Sequence, residues 1–114
     1  MSFNIITINS FDKELKKLTK KYPSLKQDYA NLLDEIEANP KSGTPIGKNC
    51  YKIRLSITSK GKRKSGGARV ITHLIVSVEN ETLYLLKIYD KGDVDNVSES
   101  ELKDLLLPLK HPFH

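Results

Sequence analysis

Lys52 and Arg54 stand two residues apart in Tyr51–Ile57, where Tyr51, Ile53, Leu55 and Ile57 alternate with polar residues. A strand with that period turns Lys52 and Arg54 to one side, about 7 Å apart. Arg69 opens the next β-prone run, Ala68–Val78, directly after the basic stretch Ser59–Gly67 (SKGKRKSGG). Paired as a hairpin, these two runs bring Arg69 beside the Arg54–Ile57 end. Lys87 and Tyr89 share one face of a third run, Leu83–Tyr89, and Lys91 follows it. Such a cluster suits RNA cleavage by the neighbouring 2′-hydroxyl. That reaction needs a base for the hydroxyl, an acid for the leaving 5′-oxygen, and cations for the pentacovalent phosphate. Clustered cations favour deprotonation of a lysine, so one lysine can act as base without histidine. Arginines hold phosphate charge with two parallel hydrogen bonds. Gripping phosphate without chemistry is the simpler reading of the same residues, and both stay open here.

The charge balance points to the same stretch. The 114 residues carry 19 Lys+Arg against 14 Asp+Glu, a net of +5, and the pI is about 9.3. Eight of the bases (Lys48, Lys52, Arg54, Lys60, Lys62, Arg63, Lys64 and Arg69) fall between Lys48 and Arg69, which holds no acid. The rest of the chain has eleven bases against fourteen acids, a net of −3. A field focused in this way attracts a polyanion, nucleic acid before others, although a solvated basic loop has the same composition. Lys48, Lys60, Lys62, Arg63 and Lys64 are the expected backbone-gripping residues.

Other chemistries find little support. Three histidines (His73, His111, His114) and one cysteine, Cys50, are too few and scattered for a metal site, and no cofactor is expected. Cys50 with His73 stays open as a nucleophile pair, though a lone loop cysteine is more often inert. Lys60–Gly67 lacks the glycine-lysine-serine order of a nucleotide-binding loop. Glu79 and Glu81 read as solvated turn residues, not as a glycosidase pair. No apolar run approaches the roughly 20 residues of a membrane helix, and no basic-then-apolar leader opens the chain. With a single cysteine, a cytoplasmic protein is expected.

These residues need a scaffold, and the periodicities outline one domain over residues 1–114. Phe3–Ile8 reads as a strand. Ser10 offers an N-cap for a helix with Phe11, Leu15, Leu18 and Tyr22 on one stripe, stopped by Pro23. Ser24 with Gln27 makes a capping box for a second helix, with Leu25, Tyr29, Leu32, Leu33 and Ile36, ending at Asn39-Pro40. Lys41–Asn49 reads as loop and Ser59–Gly67 as a mobile basic loop. Ala68–Val78 and Leu83–Tyr89 form a hairpin around a turn at Glu79–Glu81. Ser98, with Glu101 three later, caps a last helix bearing Leu102, Leu105, Leu106 and Leu109, ended by Pro108 near Leu107. The order β-α-α-β-β-β-α predicts an α+β fold, a small mostly antiparallel sheet with the helical hairpin on one face. The opposite face would present Lys52 and Arg54.

The runs KSGGARVI (Lys64–Ile71), YKIRL (Tyr51–Leu55) and LYLLKIYDKGDVDNVSESEL (Leu83–Leu102) resemble the RelE/ParE superfamily of type II toxins, most of all its HigB-type branch. The element order resembles that family along the whole chain. The resemblance implies a RelE-like, microbial-ribonuclease-like fold and an mRNA interferase that inhibits translation by cutting messages in the ribosomal A site. It implies a cognate antitoxin with a helix-turn-helix domain, the two together binding operator DNA. In that pattern the strand residues that hold and activate the scissile phosphate match Lys52 and Arg54. The arginine after the glycine turn matches Arg69, and the basic position past the last strand matches Lys91. No tyrosine follows Tyr89, where RelE carries one in its last helix, so Tyr89 stands in or Lys52 serves without it. His73 does not match the histidines of the HigB type. Two other functions are compatible with the family: ParE-like inhibition of DNA gyrase without catalysis, and a non-toxic nucleic-acid-binding role.

Overall fold

In the computed structural model, which describes residues 2–60, 67–92 and 96–109, five strands form one sheet in the order β1-β5-β4-β3-β2. Chain order is β1 (Ser2–Thr7), α1 (Asn9–Lys21), α2 (Leu25–Ala38), β2 (Thr44–Gly47), β3 (Cys50–Leu55), β4 (Ala68–Val76), β5 (Asn80–Asp90) and α3 (Glu99–Leu106). Short 3-10 turns cover Thr58–Lys60 and Leu107–Leu109. β1 runs parallel to β5, and the other pairs are antiparallel. The expected α+β architecture and mostly antiparallel sheet are what the chain forms. No helix among the described residues is long and apolar enough to cross a membrane.

Each face of the sheet has its own core. Phe11 and Leu18 of α1 and Leu25, Leu32 and Ile36 of α2 bury against Ile53, Leu55, Val70, Leu83, Leu85 and Ile88. These are the stripes the sequence predicts, because a helix turns every 3.6 residues and a strand alternates every two. On the opposite face, Leu102 and Leu106 of α3 pack on Cys50, Ile71, Leu86 and Tyr89. Each buried leucine stabilises that contact by about 1.5–3 kcal/mol. α3 thus shares the face that carries Lys52 and Arg54.

A bulge makes this shared face possible. The β4–β5 register shifts between Ile71 and Thr72, so Ile71 meets Lys87 while Thr72 meets Leu85. Leu86 is the extra residue, and both it and Lys87 turn to the α3 side, one as a seat for the helix and one as a charge.

Several local expectations are corrected. Lys41–Asn49 contains an edge strand, β2, missed because Pro45 and two glycines read as loop; an edge tolerates proline since one side needs no partner. Helix α1 starts at Asn9 with Ile8 at its N-cap, so Ser10 lies inside the first turn. Ser24 is itself helical (φ −76°, ψ −13°), and its hydroxyl donates to Asp28 Oδ2 (2.8 Å) rather than capping. β4 ends at Val76 and β5 begins at Asn80, so the turn is Ser77–Glu79, closed by Ser77 N–H on the Asn80 carbonyl (2.8 Å).

Both ends of the basic stretch are anchored. Asp28 accepts from Thr58 N–H (2.9 Å), Thr58 Oγ1 (2.7 Å) and Ser24 Oγ, which fastens the Thr58–Lys60 turn to α2. At the other end, Gly67 lies against β3: a Cβ there would stand 2.5 Å from the Leu55 carbonyl oxygen. Its carbonyl accepts from Lys91 N–H (3.0 Å), and Tyr22 Oη donates to Asp90 Oδ2 (2.5 Å) beneath. The stretch expected as loop from Ser59 to Gly67 is therefore structured at its two ends.

Candidate nucleic-acid interface

The register places Arg54 opposite Arg69 and Arg69 opposite Tyr89, one row across three strands. The next row on the same face is Lys52, Ile71 and Lys87. At about 4.8 Å between strands, the Arg54–Arg69–Tyr89 row spans about 10 Å. Lys91 follows β5 and is hydrogen-bonded beside Gly67, two residues beyond Tyr89. Four expected site residues (Lys52, Arg54, Arg69, Tyr89) thus share one face, and Lys91 lies at its end. Lys48 lies in the β2–β3 turn, further along the same sheet. Lys60 closes the short turn after β3, whereas Lys62, Arg63 and Lys64 lie outside the described residues, as do His111 and His114.

Arg69 is only 5 % exposed. Its Nη1 donates to the Ala68 carbonyl (3.1 Å), and no carboxylate pairs with it among the described residues. Like charges directly opposite across strands repel, and a buried charge without a counter-ion is costly. Two arginines held in this way suit an anion that accepts from both.

Tyr89 is 3 % exposed, and its hydroxyl is buried with no hydrogen-bond partner among the described residues. Burial pushes its pKa up; Arg69 pulls it down and Glu101 adds to the rise. The hydroxyl therefore keeps its proton and is a donor awaiting an acceptor. Lys87 Nζ sits 5.7 Å from the Tyr89 ring centroid and pairs with Glu101 of α3. Ser98 Oγ accepts from Glu101 N–H (3.0 Å), the cap expected for α3. The Glu101 carboxylate turns to Lys87 instead of back to Ser98. That ion pair was not foreseeable from spacing, since its partners are fourteen residues apart on different elements.

The Cys50–His73 pair left open by the sequence does come together, with Sγ 3.4 Å from Nδ1. Its electrostatics are wrong for a nucleophile. Burial pushes the thiol up to about 11 against a smaller opposing pull from Lys48, and burial pulls the imidazole down. Both groups stay neutral at pH 7, and Cys50 is 1 % exposed as part of the α3 core. Native protein at pH 7.5 is expected to react with a chromogenic disulfide reagent at least about a hundredfold more slowly than denatured protein. Equal rates would show an accessible thiolate.

No protein-family model matches the sequence. Solved structures do match in three dimensions. The chain is similar to E. coli toxin RelE, solved as a double arginine-to-alanine mutant in the free state, with a TM-score of 0.58 and 19 % identity over 83 % of this chain and 90 % of that one. It is also similar to the YoeB/ParE toxin from Agrobacterium tumefaciens, with a TM-score of 0.56 and 10 % identity over 76 % of this chain and 97 % of that one. Both neighbours are covered almost end to end, so the likeness is one of the whole fold. The fold of this chain is the RelE-like α+β fold of those toxins.

Proposed function

We propose that this protein is the toxin of a type II toxin–antitoxin pair and acts as a ribosome-dependent mRNA endoribonuclease. The observation that carries this reading is the Arg54–Arg69–Tyr89 row, two arginines with no carboxylate partner among the described residues beside a protonated tyrosine. Arg54 and Arg69 hold the scissile phosphate. Lys52 takes the proton of the 2′-hydroxyl as that oxygen bonds to phosphorus. Tyr89 gives its proton to the 5′-oxygen as the P–O5′ bond breaks. The products are a 2′,3′-cyclic phosphate and a 5′-hydroxyl end. Lys91 balances charge at the end of the row, while Lys48, Lys60, Lys62, Arg63 and Lys64 grip the RNA backbone. Positioning of the message by the ribosome complements so sparse an acid–base set. The resemblance carried jointly by Lys64–Ile71, Tyr51–Leu55 and Leu83–Leu102 supports the HigB-type branch and an antitoxin with a helix-turn-helix domain that brings the pair to operator DNA, and the single cysteine fits a cytoplasmic location.

One observation favours a second reading, gyrase inhibition without catalysis: α3 packs on Tyr89, whose hydroxyl is buried, so RNA reaches that hydroxyl only when its cover yields. Induction in cells followed by mapping of mRNA 5′ ends separates the two. Codon-phased cuts within translated messages are the expected result. A DNA-damage response with intact messages would replace the nuclease with the gyrase inhibitor.

A further inference from the structure

Beside the arginine row lies a cleft of about 460 Å³ between the β2–β3 hairpin and the start of α3. Its volume suits one nucleotide, since small-ligand sites run about 300–1,000 Å³. Ile46, Ile71, Val97 and Leu102 give it an apolar wall on which a planar base can lie. Lys48 and Lys52 stand on the strand side. Lys48 is held at φ +54° in the two-residue turn Lys48-Asn49, a left-handed conformation that a lysine adopts only at a cost.

The hydrogen-bonding groups in the cleft have a direction. Asn96 Oδ1 accepts from Val97 N–H (3.0 Å) and faces Lys52 Nζ at 3.5 Å, which fixes the amide orientation and leaves its NH₂ as a donor. Ser98 Oγ is occupied by Glu101 N–H. Lys52 on the strand side and Asn96 just before α3, joined across the cleft by their hydrogen bond, therefore offer donors, while Glu99 at the start of α3 offers a carboxylate acceptor. Guanine matches both: O6 and N7 accept, while N1–H and N2–H₂ donate. Adenine sets its N6 amino group beside N7, donor against donor. Cytosine repeats that conflict at N4, and uracil satisfies the pattern only in part, through O4 and N3–H.

We infer that this cleft is a base-binding subsite selective for guanine in the nucleotide next to the phosphate held by Arg54 and Arg69. The inference rests on the nuclease reading for its substrate class, and it names which RNA that site takes. Lys52 joins the two, lining the cleft while sharing the face of Arg54.

Fully 2′-O-methylated trinucleotides of sequence CGC, CAC, CUC and CCC, which lack the attacking hydroxyl, test it by calorimetric titration of the intact protein. CGC is expected to bind about tenfold more tightly than CAC, the discrimination typical of a two-point base contact. Asn96→Asp replaces the donor NH₂ by an acceptor of the same shape and should bring the two within about twofold. Glu99→Gln, at an exposed position, should weaken CGC and leave CAC unchanged. Equal binding of all four probes, binding of none at millimolar probe, or a guanine preference untouched in both variants overturns the subsite. Guanine preference in binding without any cut in translated messages would retain the subsite and remove the nuclease reading; phased cuts without that preference would do the reverse.

Discussion

Arg69→Ala is expected to abolish growth arrest on induction and to lower cleavage on programmed ribosomes by about a hundred- to a thousandfold, the usual cost of removing one group that meets transition-state charge. The reason lies in its surroundings. Arg69 is buried, faces Arg54 across the strand pair, and has no carboxylate among the described residues. A structural arginine would have one. Taking away an uncompensated charge should leave the fold standing, with a melting temperature within a few degrees of wild type, because relief of the Arg54 repulsion offsets lost packing. Arg69→Lys keeps the charge but loses the planar fork, and should fall between the two. Primer extension and a thermal melt on the same preparations check both halves. Full toxicity in a folded Arg69→Ala protein would remove Arg69 from the site.

The second large effect is on stability. Asp28→Asn is expected to cost about 2–3 kcal/mol at neutral pH, because the carboxylate accepts three hydrogen bonds in a buried place and an amide oxygen replaces only part of them. For a chain of this size that lowers the melting temperature by about 10 °C. The pH dependence follows from the folded-state titration. Burial pushes the Asp28 carboxyl up, but its hydrogen bonds from Thr58 and Ser24 outweigh this and hold it below the ordinary aspartate value. A group depressed by folding stabilises above its unfolded pKa and loses that contribution as pH falls through the folded one. The gap between wild type and variant should therefore be full near pH 6 and close below about pH 4. Thermal melts across that range decide it. A gap that stayed constant into acid would mean that Asp28 is not held as a carboxylate.

The sequence made the helical hairpin and β3–β5 legible because their apolar residues keep strict periods: Phe11, Leu18, Leu25, Leu32 and Ile36 on the helices, Ile53, Leu55, Val70 and Ile88 on the strands, all buried. It also brought Arg54 and Arg69 together, since a hairpin has one pairing that follows from its alternation. β2 stayed hidden because edge pairing depends on backbone groups, which Pro45, Gly43 and Gly47 do not advertise. The position of α3 stayed hidden for another reason. Its leucines say that it is amphipathic, but not which face of the sheet they seek. The covering of Tyr89, the Lys87–Glu101 pair and the Asn96 cleft all depend on that choice, so none could be read before it was known.

The extra residue at Leu86 gives β5 two phases along its length. From Leu83 to Leu85 the strand keeps one inside–outside rhythm, and from Lys87 to Tyr89 it keeps the other. The hairpin end and the cationic end of one strand are thereby uncoupled in sequence. Substitutions near Ser77–Glu79 can remodel the projecting tip without altering which side chains meet Arg69. Straightening the strand through Leu86 with no residue removed would do the opposite, sending Lys87 and Tyr89 into the packed face beneath the helical hairpin and turning Ile88 to the side of Arg69. A strand of this kind lets a lineage vary one end of the protein while its other end is inherited intact.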